Sequence, residues 1–129
     1  MFTLDASVHI NALNIAETGS AESQTCLQRL VATKQPLCSP TLLLVEVAAA
    51  ISRTMDDTDL AIALAEGIRS LPKQVWIPLD DELASIAAQL GAQARLRGAD
   101  AVYAAVARRY GSVIITRDRQ QLERLPPSR

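Results

Sequence analysis

The stretch GADAVYAAVARRYGSVIITRD, residues 98–118, reads as a helix, a stop and a short strand, with an acid near each end. Its first half sets larger apolar side chains at helical spacing among alanines. Gly111 then ends the helix, and the β-branched run that follows it is typical of a buried strand. Because the helix opens near Asp100 and the strand is followed by Asp118, we expect both carboxylates at one edge of a sheet.

The rest of the chain alternates short apolar runs with helical patterns. We predict strands at residues 2–4, 36–38, 75–79 and 112–116, and helices at 7–15 (capped by Ser7), 22–34, 41–53, 60–71, about 80–97 and 98–110. Strands that alternate with helices form a parallel sheet covered on both faces. The predicted fold class is therefore α/β, a three-layer α/β/α sandwich around about four short parallel strands. We expect one domain over residues 1–129, with a polar tail in which Pro126-Pro127 marks the end of the fold.

Composition excludes some classes of protein. Apolar residues make up 49% of the 129 residues but aromatic residues only 3%, so the core must be built from Ala, Leu, Ile and Val. The net charge is −1, which disfavours a simple DNA-binding module with a strongly basic surface. No signal peptide is recognisable, and the longest apolar run, residues 42–51, is too short to cross a bilayer. We therefore expect a cytoplasmic protein without a membrane span.

The side chains that most often bind zinc are scarce. Cys26 and Cys38 have no Cys or His companion at ligand spacing, and we expect both to be buried, reduced thiols. His9, the single histidine, is expected on the surface of the first helix rather than acting as a catalytic base.

Four acids stand beside apolar sequence rather than on a polar face. Asp5 follows the first strand, Glu46 lies within an almost wholly apolar helix, and Asp100 and Asp118 flank the last helix and strand. Crowded carboxylates raise one another's pKa and need a compensating cation, and all-oxygen ligation favours Mg²⁺ or Mn²⁺. The alternative for Glu46 is a pairing with an arginine.

A second set of acids also follows a strand. Asp80, Asp81 and Glu82 open a predicted helix, and helix capping is their expected role. The alternative is that one of them contributes to the acidic site.

Four segments resemble the PIN-domain family, and most of all the toxins of VapBC-type toxin–antitoxin pairs: LDAS (4–7), LVEV (44–47), RGADAVYAAVA (97–107) and ITRD (115–118). The resemblance implies a metal-dependent endoribonuclease. In it, Mg²⁺ or Mn²⁺ is bound by a quartet of acids that match Asp5, Glu46, Asp100 and Asp118.

The same resemblance extends to neighbouring residues and to partners. Ser7 and Thr116 match hydroxyl positions beside the acids, with turn or helix capping as the alternative. The resemblance also implies an RNA substrate, a homodimer and an antitoxin that blocks the site. The helices at 41–51 and 60–71 are candidates for the dimer face, or else pack in the core.

Positive charge near the site would favour RNA. The net charge is −1, so setting aside the −4 of the four acids leaves +3. Among Arg95, Arg97, Arg108, Arg109, Arg117 and Arg119, we consider Arg117 the best candidate for a phosphate contact, because it lies between Thr116 and Asp118.

Two other classes of protein share some of these features. Phosphotransfer folds also place acids at strand ends, but a receiver needs paired acids after its first strand and a lysine after its last, and an aspartate-nucleophile phosphatase needs a second aspartate where Ser7 stands. A catalytically silent module that binds RNA or protein is the stronger alternative to the nuclease.

Overall fold

Four parallel strands and seven helices make up the part of the chain described by the computed structural model, residues 1–125. The strands are β1 (Phe2–Leu4), β2 (Leu37–Pro40), β3 (Gln74–Ile77) and β4 (Val113–Ile115). The helices are α1 (Ala6–Leu13), α2 (Ser20–Ala32), α3 (Leu42–Met55), α4 (Thr58–Arg69), α5 (Asp81–Ala94), α6 (Gly98–Tyr110) and α7 (Arg119–Arg124). The sheet has the order β3-β2-β1-β4 and is flanked by helices. This confirms the predicted three-layer α/β/α fold.

The strand order creates a crevice beside β1. The chain moves from β1 to β2 and β3 on one side, whereas β4 pairs with β1 on the other side. In such a sheet, ligands bind outside the carboxyl ends of the strands, at the point where the direction of winding reverses. Asp5 stands directly after β1, and its backbone N–H donates to the Ile115 carbonyl at the end of β4, at 3.1 Å.

The small residues of α6 explain how a chain with few aromatics packs a dense core. Residues 101–107 are all buried, and six of the seven are alanines or valines that let the helix lie close to the sheet. The α5 helix approaches equally closely, since a Cβ on Gly91 would lie 3.3 Å from the Cβ of Ala101. Close packing without large side chains is the expected result of this composition.

Some element boundaries differ from the prediction. Ser7 was predicted to cap the first helix, but Asp5 is the cap, and its carboxylate accepts the Ser7 N–H at 2.9 Å. Ile15 lies outside α1 and is exposed. The predicted polar tail after Asp118 contains a helix, α7, and the Asp118 carboxylate accepts a hydrogen bond from a backbone N–H in its first turn. The predicted end of the fold at Pro126-Pro127 lies outside the described residues.

The prediction that His9 lies on the surface is wrong. His9 is only 1% exposed and lines an apolar cavity of about 490 Å³ formed by α1, α2 and α4. Burial lowers the pKa of His9 from 6.5 to about 4. Its polarity alone suggested a surface position, whereas the packing of α1 against α2 and α3 buries this face of the helix.

The two thiols are free, as predicted; Cys38 is buried and Cys26 half-buried. In residues 1–125 no helix has both the length and the apolar character needed to cross a bilayer.

Candidate active site

Two hydroxyls hold Asp5 at the end of β1. The Ser7 hydroxyl donates to its Oδ1 and the Thr116 hydroxyl to its Oδ2. Burial raises the pKa of Asp5, the hydroxyl bonds oppose that rise, and the negative charge of Asp100 adds to it. Asp5 is therefore a buried acid with fixed orientation and a like charge nearby.

The same two hydroxyls also bind the backbone after β4. Thr116 Oγ1 accepts the Asp118 N–H at 2.9 Å, and Ser7 Oγ accepts the Arg117 N–H at 3.1 Å. Each hydroxyl thus joins the carboxyl end of β1 to the carboxyl end of β4. The sequence placed both beside the acids, and here they orient a carboxylate and fix a turn at once.

Glu46 reaches the same edge from the middle of α3. Its Oε1 accepts a hydrogen bond from the Tyr103 hydroxyl at 2.6 Å. Burial raises the pKa of Glu46; the Tyr103 bond opposes this, the charges of Asp5 and Asp100 reinforce it, and the positive charge of Arg97 opposes it. Of the two alternatives for this glutamate, the polar site is the observed environment.

Tyr103 is a site residue that the sequence analysis missed. Its side chain is fully buried, and burial together with Glu46 raises the pKa of its hydroxyl. It lies three residues after Asp100 on α6, so both face the same side of that helix. That spacing was a usable signal, but a tyrosine among apolar residues reads as core.

Asp100 and Asp118 share one arginine. Arg97 Nε donates to Asp100 Oδ2 at 3.0 Å, and Arg97 Nη2 donates to Asp118 Oδ2. Asp118 Oδ1 accepts the Gln121 N–H at 3.3 Å, and the buried Gln121 amide contacts the Asp100 carbonyl at 3.4 Å. These contacts join the start of α6 to the start of α7.

Arg117, the predicted phosphate contact, is engaged with the loop before α2. Its Nη1 lies 3.0 Å from Glu17 Oε1, and its Nη2 donates to the Thr18 carbonyl at 3.2 Å. Asn11 donates to the same Glu17 oxygen at 2.8 Å. A phosphate contact by Arg117 stays a prediction, and it requires competition with Glu17.

The second acidic set, Asp80, Asp81 and Glu82, follows β3, the edge strand farthest from β4. Asp80 caps α5, as predicted, by accepting the Leu83 N–H at 2.8 Å. Arg109 donates to Glu82 at 3.2 Å. These acids therefore lie two strands away from β1, whose end carries Asp5.

The donor chemistry of the central acids fits a hard divalent cation, although their side chains do not form a ligand shell in this arrangement. All four donors are carboxylates. Burial raises the pKa of Asp5 and of Glu46, and the negative charge of Asp100 adds to the rise in both, which a cation would offset. Yet among residues 1–125 no three His, Cys, Asp or Glu side chains are gathered closely enough to hold a metal ion. Bringing the carboxylates together requires them to leave some of their present partners.

Comparison with known proteins identifies the family. The sequence model of the PIN domain family matches residues 2–126. A search of curated proteins found no match. The similar solved structures include VapC20 of Mycobacterium tuberculosis, described as a sarcin–ricin loop cleaving toxin: TM-score 0.79, 18% identity, covering 98% of this chain and 100% of that one.

Toxin–antitoxin complexes with bound DNA are also similar. For VapBC2 of Rickettsia felis the TM-score is 0.74 at 13% identity, covering 97% of this chain and 92% of that one. For VapBC of Salmonella typhimurium the TM-score is 0.72 at 20% identity, covering 99% and 94%. These TM-scores show a shared fold. The match of the family model to residues 2–126 shows the family: the protein belongs to the PIN domain family.

Proposed function

We propose that this protein is a metal-dependent endoribonuclease that hydrolyses RNA phosphodiester bonds and serves as the toxin of a toxin–antitoxin pair. One observation carries the proposal beyond family membership. Asp5, Asp100 and Asp118 come from three separate segments of the chain. Thr116 nevertheless links Asp5 to the backbone of Asp118, and Arg97 links the side chains of Asp118 and Asp100. Such a convergence of acids at the crevice of a parallel sheet is typical of a functional site.

We assign the binding of Mg²⁺ or Mn²⁺ to Asp5, Glu46, Asp100 and Asp118. The bound ion would supply Lewis acidity for the attack of water on phosphorus. Around it, the chain orients its own acids. Ser7 and Thr116 favour the charged form of Asp5 and fix its direction, and Tyr103 does the same for Glu46.

Binding of the RNA backbone needs positive charge at this edge. Arg117 is our candidate for a phosphate contact, because its backbone already belongs to the site through Ser7. A phosphate that competes with Glu17 for the guanidinium would remove the Arg117 contacts to the loop before α2 and leave those from Asn11. Charge-assisted bonds from arginine to phosphate are strong enough for such an exchange.

The decisive experiment compares the wild type with Asp100→Asn on single-stranded and structured RNA, with Mg²⁺, with Mn²⁺ and with EDTA. We expect cleavage that requires the ion and falls by about 100-fold or more in the variant, because a ligand has lost its charge. Asp59→Asn is the matched control, since Asp59 is an exposed acid in the first turn of α4. We expect it to cleave like the wild type.

Two outcomes would contradict the proposal. Equal cleavage by Asp100→Asn, with an unchanged circular dichroism spectrum, would remove the acid from the mechanism. Binding of Mn²⁺ by the wild type without cleavage of any RNA would favour the catalytically silent module that binds RNA or protein.

We also propose partners and a location. The similar VapBC complexes support an antitoxin as a partner, and we propose the apolar cavity between α1, α2 and α4 as the surface for one of its segments. Val45 on α3 and Ile62 on α4 are exposed, and a second copy of the chain would cover them in a homodimer. A monomer at all concentrations in sedimentation would exclude that dimer. We place the protein in the cytoplasm, where RNA is its substrate.

A further inference from the structure

The guanidinium of Arg97 occupies the space between two carboxylates of the proposed quartet. Its Nε donates to Asp100 Oδ2 at 3.0 Å, and its Nη2 donates to the Oδ2 of Asp118. Asp100 belongs to the first turn of α6, and Asp118 precedes α7, so one side chain bridges two elements. Burial raises the pKa of Glu46, and the positive charge of Arg97 offsets part of that rise. Arg97 therefore bonds two of the four acids directly and acts on a third through its charge.

Exposure differs sharply between the arginine and the acids that it joins. The Arg97 side chain is 74% exposed, whereas the side chains of Asp100 and Asp118 are 15% and 18% exposed. Arg97 directly precedes α6, in an extended conformation. The arginine can therefore swing into water at little cost, while the two acids stay in place.

We propose that Arg97 is a built-in counter-cation that holds Asp100 and Asp118 when no divalent ion is bound and competes with that ion for them. The inference rests on the proposed metal-dependent function and adds a determinant of ion affinity within the chain. Arg97 is a positioning residue here, since it acts on the acids rather than on the substrate.

Competition follows from the oxygens involved. One oxygen of each acid, Oδ2, is taken by Arg97, and Asp118 Oδ1 is taken by the Gln121 backbone N–H. A divalent ion between the two acids would meet the positive guanidinium at close range, so the ion and Arg97 compete for the same negative charge. The apparent dissociation constant then equals the intrinsic one divided by the fraction of molecules in which Arg97 has left the acids.

The test is a measurement of Mn²⁺ affinity by isothermal titration calorimetry, without RNA. If Arg97 occupies the acids in about 70–90% of molecules, Arg97→Ala should bind Mn²⁺ about 3- to 10-fold more tightly than the wild type. Arg97→Lys keeps the charge but not the planar fork that joins two carboxylates. We expect it to show at least half of the tightening on a logarithmic scale.

Arg108→Ala is the matched control for charge. Arg108 is an exposed arginine in the last turn of the same helix, α6, so the substitution removes an equal charge far from the acids. We expect its Mn²⁺ affinity to remain within about twofold of the wild type. A second readout is thermal unfolding, in which saturating Mn²⁺ should raise the midpoint more for Arg97→Ala than for the wild type.

The possible results separate two failures. If Asp100→Asn binds Mn²⁺ as tightly as the wild type, or no variant binds it, the proposed metal site fails and this inference fails with it. If Asp100 is required but Arg97→Ala binds no more tightly, only the inference is overturned. It is also overturned if Arg97→Lys behaves like the wild type, or if Arg108→Ala tightens equally, because long-range repulsion would then explain the effect.

Discussion

The buried imidazole of His9 makes the stability of this protein depend on pH below neutrality. The side chain is 1% exposed, and the other residues lining its cavity are apolar or uncharged, so no acid compensates a charged imidazolium. In the unfolded chain His9 takes up a proton near pH 6.5, whereas in the folded protein its pKa is about 4. The folded state therefore binds fewer protons, and its stability must fall as the pH falls.

The magnitude follows from the two pKa values. They differ by about 2.5, and each pKa unit corresponds to about 1.4 kcal/mol, which gives an upper bound of about 3 kcal/mol. The contribution is fully present well above pH 6.5 and is lost as the pH falls to about 4; the loss is about 1 kcal/mol at pH 5.5 and about 2–3 kcal/mol at pH 4.5. A domain of this size is stabilised by roughly 5–15 kcal/mol in total.

Urea unfolding of the wild type and of His9→Gln, at several pH values between 7.5 and 4.5, isolates this term. Glutamine is polar and does not titrate, and His9 is the only histidine in the chain. We expect the free energy of unfolding of the wild type to decline relative to that of the variant by about 2–3 kcal/mol over this range. Carboxylates contribute equally to both proteins and cancel. Parallel pH profiles would refute the reasoning, because they would mean that His9 becomes charged at its ordinary pKa within the fold.

Two further predictions concern the site and the loop beside it. Tyr103→Phe removes the hydroxyl that favours the charged form of Glu46, so we expect a further rise in the pKa of Glu46 and about a tenfold loss of Mn²⁺ affinity near pH 6, measured by calorimetry; unchanged affinity would contradict this. Gly19→Ala places a Cβ 2.8 Å from Arg117 Nη2 and forces alanine into the left-handed region at a φ of +88°. We expect the free energy of unfolding, measured in urea, to fall by about 1 kcal/mol or more. Gly67→Ala, in α4 with open space around it, should instead raise the free energy of unfolding by about 0.5–1 kcal/mol. Equal changes in stability at both glycines would be inconsistent with a steric cause.

The sequence predicted the fold well because hydrophobic periodicity and the residues that end helices and strands act locally along the chain. The strand at Phe2–Leu4 and the α6 helix ending at Gly111 were predicted correctly, since hydrophobic spacing and a glycine in the left-handed region determine them. The cap of α1 was assigned to Ser7 instead of Asp5 because either side chain can cap a helix, and position relative to the sheet decided between them.

The same local rules could not reveal the partners within the site. That Asp5 and Asp118 share an edge follows from strand polarity, which the alternation of elements already implies. That Tyr103 donates to Glu46, or that Arg97 bridges two acids, depends on how α3, α6 and α7 approach one another in three dimensions. Such contacts leave no periodic trace. The burial of His9 was missed for the same reason, because it depends on how α2 and α4 fold back over α1.

Each acid of the proposed quartet already has a hydrogen-bonding partner of its own. Two hydroxyls hold Asp5, a tyrosine holds Glu46, and one arginine holds both Asp100 and Asp118. A buried carboxylate without such a partner would be costly, so these bonds let the chain fold with the acids in place before any ion arrives. The partners differ in what an ion would do to them. The hydroxyls on Asp5 and the phenol on Glu46 are neutral, and a carboxylate oxygen can accept such a bond while it also binds an ion. The Arg97 cation, in contrast, is repelled by the ion. Ion binding therefore preserves the bonds to Asp5 and Glu46 and changes the contacts at the α6–α7 junction.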